Sequence, residues 1–82
     1  MKFMIKHEKK GRIRVHLFQK YMNYKQADIL QYYLENLSGV KNAQVFNRTC
    51  DALIYYTGDR NALLKSIQAF SYMKESVPAQ VL

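Results

Sequence analysis

The sequence predicts an α+β domain, a four-stranded antiparallel sheet covered on one face by two helices. Three observations point there. Residues Arg12-Ile13-Arg14-Val15-His16-Leu17 alternate polar and apolar, the period of a strand with one buried face. Ala27, Leu30, Leu34 and Leu37 fall on one face of a helix that runs into Ser38-Gly39, a helix stop. A second helical stripe, Leu63, Leu64, Ile67 and Phe70, follows two further strand-like segments.

Each element has its own local reason. Lys2 to His7 alternates imperfectly before Glu8-Lys9-Lys10-Gly11 interrupts it, so residues 2–18 read either as a hairpin or as one long strand bulged at Gly11. Asn23 is a good N-cap, and Gln26 can complete a capping box, which starts a first helix of about residues 24–37. Tyr33 widens its buried stripe, while Gln31 and Glu35 sit toward water. Val40 to Arg48 and Asp51 to Tyr56 form a hairpin across Thr49-Cys50. Gly58-Asp59 gives a turn and a cap for a second helix of about residues 60–72. Val77 to Leu82 would be a last strand, confined to an edge by Pro78, which has no N–H to donate. The resulting order, β-α-β-β-α-β, is that of the ferredoxin-like sandwich.

Composition bounds the function classes. With 82 residues, 49% hydrophobic and only one Pro and three Gly, the chain makes one folded domain, residues 1–82, with a thin core. No apolar run approaches the roughly 18–20 residues of a transmembrane helix, and no signal-like segment opens the sequence, so a soluble, unprocessed chain is expected. The single cysteine, Cys50, forms no internal disulfide, which fits a cytoplasmic, reducing setting. A net charge of +7 favours anionic partners: phosphate, acidic lipid or an acidic protein surface.

Gly11-Arg12-Ile13-Arg14, Leu34-x-x-Leu37-Ser38-Gly39-Val40, Val45-x-Asn47 and Ala52-Leu53-Ile54-Tyr55-Tyr56 before Thr57-Gly58-Asp59 occur in an order that resembles the heavy-metal-associated domain. The resemblance covers about residues 5–72. It is to the divergent branch at the cytoplasmic N-termini of metal-transporting P-type ATPases. Ordinary members look like copper or zinc carriers with a Cys-x-x-Cys pair in the loop before the first helix. Here that loop reads Phe18-Gln19-Lys20-Tyr21-Met22-Asn23, offering one thioether and no thiolate. The resemblance therefore implies a non-catalytic regulatory or docking domain without cofactor or thiolate metal site, whose partners are other domains of a membrane transporter or an acidic protein. Any ATPase activity would lie in a larger polypeptide.

The residues themselves suggest where such a domain makes contact. If Ile13, Val15, Leu17, Val45, Ala52, Ile54 and Tyr56 face the helices, then Arg12, Arg14, His16, Gln44, Phe46, Arg48, Leu53 and Tyr55 face outward. Arg12, Arg14, His16 and Arg48 are the candidate partner or anion contacts. Cations interleaved with rings also suit single-stranded nucleic acid, although the glycine-containing signature of RNA-recognition strands is absent from residues 51–56. His7 and His16 are the candidates for a weak histidine-based metal site. Cys50, in a turn, reads as an exposed thiol without a base to activate it. No pair of acids presents a general acid and base.

Overall fold

A computed structural model describes residues 1–75, with burial described through residue 73. Its elements are β1 (Phe3–Lys9), β2 (Arg12–Leu17), α1 (Tyr24–Glu35), β3 (Val40–Phe46), β4 (Asp51–Tyr56), α2 (Arg60–Ala69) and a short α3 (Tyr72–Glu75). The sheet is antiparallel throughout, in the order β1-β2-β4-β3, with the helices on one face. The anticipated final strand, 77–82, lies outside the described residues. The edge beside β2 is formed by β1, because residues 2–18 form the hairpin rather than one long strand.

The alternation of β2 is what builds the core. Ile13, Val15 and Leu17 are fully buried and meet Ala52, Ile54 and Tyr56 of β4 and Ala43 of β3. Ala27, Leu30 and Leu34 of α1, and Leu63 and Ile67 of α2, close over them. Each large aliphatic side chain removed from water in this way contributes on the order of 1.5–3 kcal/mol. Tyr33 points inward and donates its hydroxyl proton to the Ser66 carbonyl (2.6 Å), while its neighbour Tyr32 stays exposed. Phe70 then packs between Tyr33 and Tyr72, with ring centroids 4.9 Å apart in each pair.

The helix boundaries follow side-chain chemistry. Asn23 accepts from the Gln26 amide (2.7 Å) and Gln26 accepts from the Asn23 amide (3.1 Å), the reciprocal capping box the sequence predicts. At the other end α1 stops at Glu35, two residues before Leu37, because the Asn36 side chain bonds back to the Tyr32 carbonyl (2.7 Å). Gln31 is not simply solvated: its side-chain oxygen accepts from the Val45 amide (3.1 Å) and ties α1 to β3. Helix α2 ends at Ala69, earlier than residue 72, where Phe70 takes an extended conformation to reach the aromatic cluster.

The sheet has irregularities that the sequence did not disclose. The bulge in the N-terminal hairpin falls between Ile5 and His7 rather than at Gly11. Lys6 lies on the open face by simple alternation with Met4 and meets Asp51 there, and the bulge after Ile5 brings His7 to stand opposite Arg14 on that same face. The β3–β4 connection is a four-residue turn, Asn47 to Cys50, with Phe46 paired to Asp51, so β3 ends two residues before Arg48.

Candidate functional site

The open face of the sheet is organised around a carboxylate. Asp51 opens β4 directly opposite His16 of β2 and Phe46 of β3, on the side away from the helices, yet it is only 1% exposed. Three basic side chains cover it. Lys6 Nζ donates to Oδ2 at 3.0 Å, Arg14 Nε donates to the same oxygen at 3.2 Å, and His16 Nδ1 lies 2.8 Å from Oδ1. Burial pushes the Asp51 carboxyl up, but hydrogen bonds from His16, Lys6 and Arg14 outweigh it and hold the group below its ordinary value. The carboxylate is thus charged and bound from both oxygens.

Arg14 is fixed twice. Its Nε is held by Asp51, and its guanidinium carbon lies 5.0 Å from the centre of the Phe46 ring. The contact to Asp51 runs through Nε and leaves both terminal nitrogens clear of it. Arg14 also lines a shallow cavity of about 290 Å³, together with Phe46, Arg48 and the β3–β4 turn. Along the other half of β2, Arg12 stands directly across from Lys9, and Arg14 directly across from His7. Lys9 and Arg12, like charges in facing positions, repel, so this stretch of the face favours an anion over it.

The predicted site residues are therefore arranged as follows. Arg14 and His16 meet through Asp51, and Arg48 joins Arg14 at the cavity. Arg12 sits apart, beside Tyr55 and Lys9. His7 and His16 are not brought together: His7 faces Arg14, whereas His16 faces Met4. Among the described residues no group of three or more His, Cys, Asp or Glu side chains is placed to hold a metal ion. Met22, in the loop before α1, is turned inward and 1% exposed, filling the core.

One residue of the site was not singled out by the sequence, and another departs from its sequence reading. Asp51, an acid at a strand start, is the centre of the site, and only its long-range partners reveal it. Cys50 is buried, 5% exposed, rather than a surface thiol. Its backbone takes a left-handed conformation (φ 59°), which turns the side chain into the core at the end of the turn. Burial, and secondarily the negative charge of Asp51, push the Cys50 thiol up. Its reaction with a disulfide reagent is expected to be slower than that of an unstructured thiol by roughly tenfold or more. Stoichiometric labelling of the folded chain at the rate seen in denaturant would contradict the buried position.

No helix among the described residues is long and apolar enough to cross a membrane. Compared with protein-family models and with curated proteins, the chain matches none.

Proposed function

We propose that this chain is a non-catalytic docking or regulatory domain whose open sheet face receives an acidic protein surface. In keeping with its sequence resemblance, its setting is a heavy-metal-transporting P-type ATPase or a stand-alone relative of that domain, on the cytoplasmic side. One observation carries the contact chemistry: Arg14 is anchored through Nε by a buried carboxylate and laid over Phe46, its side chain still one-third exposed at the rim of a shallow cavity. A guanidinium held in place loses little side-chain freedom when it takes up a carboxylate, and its fork suits that planar anion. Arg12 and Arg48 extend the cationic surface to either side.

A nucleic-acid platform is the lesser reading. Arg14 already lies over the Phe46 ring that a base would use for stacking. Buried Met22 also leaves the metal-loop position without an accessible soft donor.

A glutamate-rich peptide is a direct probe. On titration, the amides of β2 and of residues 46–48 are expected to shift. Arg14→Ala is expected to weaken binding about five- to tenfold while the domain stays folded, its thermal midpoint lowered by only about 2–8 °C. Peptide affinity that is indifferent to Arg12→Ala and Arg14→Ala would sink the proposal. Tighter binding of a single-stranded oligonucleotide at the same residues would replace it with the nucleic-acid reading.

A further inference from the structure

The antiparallel pairing gathers the β2–α1 loop, the β3–β4 turn and the first residues of β1 at one end of the sheet. Phe3 pairs with Leu17, and Asp51 pairs with both His16 and Phe46. Three large rings stand in water at this end: Phe18 is 57% exposed, Tyr21 72% and Tyr24 77%. They are not on a loose loop. The Phe18 amide donates to the Lys2 carbonyl (3.0 Å), Gln19 donates to the Tyr21 carbonyl (2.7 Å), and the Tyr72 hydroxyl donates to Gln19 (2.7 Å). The Asn23 capping box then fixes the start of α1 beneath Tyr24.

The surrounding charge has one sign. Lys2, Lys20 and Lys25 are all exposed beside these rings. Among the acids with described side chains, Glu8, Glu35 and Asp59 lie toward the opposite end, Asp51 is buried, and Asp28 sits one turn further along α1. Rings that enter a headgroup layer, ringed by lysines whose alkyl stems lie along apolar surface while their ammonium groups stay wet, match the water–lipid boundary of an anionic bilayer.

We infer that the β2–α1 end of this domain, through Phe18, Tyr21 and Tyr24 with Lys2, Lys20 and Lys25, binds the surface of an anionic lipid membrane. This contact adjoins the Arg14 face, since the Phe18 ring meets His16 edge-on with centroids 6.2 Å apart, but Arg14 itself is not one of its residues. Shallow insertion of the rings orients the molecule with its sheet upright on the bilayer, and the lysines supply the preference for acidic headgroups.

The test uses the full chain with phosphatidylcholine vesicles, with and without roughly one-third phosphatidylserine, a composition that gives the surface a negative potential. Binding to the anionic vesicles and little to the neutral ones is expected. Lys20→Gln and Lys25→Gln are each expected to lower that affinity about fivefold at low salt. A triple Phe18→Ser, Tyr21→Ser, Tyr24→Ser variant is expected to lose binding while keeping its circular dichroism, since all three rings are exposed. Spin-labelled lipid should broaden the amides of residues 18–25. Three results would overturn the inference: no binding to anionic vesicles, an equal loss from Lys9→Gln and Lys10→Gln at the far end, or broadening centred on β2 and β4. Displacement of the vesicles by single-stranded oligonucleotide acting at residues 18–25 would also overturn it. Arg14→Ala, which probes the acidic-protein face, is expected to leave vesicle binding within about twofold, because it lies outside the headgroup contact.

Discussion

Asp51→Asn is expected to destabilise the domain by about 2–3 kcal/mol at neutral pH, a large share of what so small a fold holds in reserve. The variant leaves Lys6, Arg14 and His16 converging on a site that no longer carries a charge to bind them. Because these partners are one-third to one-half exposed, they recover some hydration, which keeps the loss below that of a fully buried pair. Removing one partner alone, as in Lys6→Met, is expected to cost only about 0.5–1 kcal/mol. The pH dependence has a definite sign. The carboxyl titrates lower in the folded protein than in the unfolded chain, where its ordinary value is about 3.9, so its contribution is present above about pH 4–5 and fades as pH falls through the depressed folded value. Denaturant unfolding at pH 7 and at about pH 3 measures it: the gap between wild type and Asp51→Asn should narrow in acid. A gap that is constant or widens would contradict the charged network. The same variant separates two views of the docking face. It makes the protein more positive, so a purely charge-driven contact would tighten, whereas loss of the Arg14 tether should weaken capture of a glutamate-rich peptide.

Gly39→Ala is expected to be at least as damaging, at about 2–4 kcal/mol. Gly39 has φ +86°, and an added Cβ would sit 2.5 Å from the Thr57 carbonyl oxygen. That oxygen belongs to backbone held in place, because the Thr57 amide donates to the Gly39 carbonyl at 2.7 Å. Neither side can retreat without breaking the link between the start of β3 and the end of β4. Gly58 is the matching control. Its φ is +95° but an added Cβ meets nothing within 4 Å, so Gly58→Ala should cost only the strain of the backbone, about 1–2 kcal/mol. Thermal unfolding of the two variants side by side checks the contrast, and equal losses would show that conformation alone, not the approach of Thr57, makes Gly39 necessary.

What could be read in the sequence was local. The alternation of Arg12 to Leu17 and the Asn23–Gln26 box each declare themselves within six residues, and both stand in the structure as read. The inward and outward sides of β2 and β4 followed from that alternation. The site's centre was not legible because it is assembled over distance: Asp51 finds Lys6, Arg14 and His16 at separations of 45, 37 and 35 residues. A charged residue at the head of a strand looks solvated until its cover is known. Cys50 was misread for a different reason, since a non-glycine residue in a left-handed turn carries no compositional sign. His7 stands opposite Arg14 only through a bulge, which a two-residue period cannot anticipate.

The sheet can also be seen as two hairpins, β1–β2 and β3–β4, stitched along a single seam between β2 and β4. Each hairpin turns over a few residues, so its closure costs little chain entropy and is fast. The seam must close a loop that contains the whole of α1, with His16 and Asp51 35 residues apart where they meet. The topological cost of folding is therefore gathered at one line of the molecule, and the buried carboxylate with its three basic partners sits at the end of that line. The network that shapes the surface is also the clasp by which the two halves of the chain hold each other.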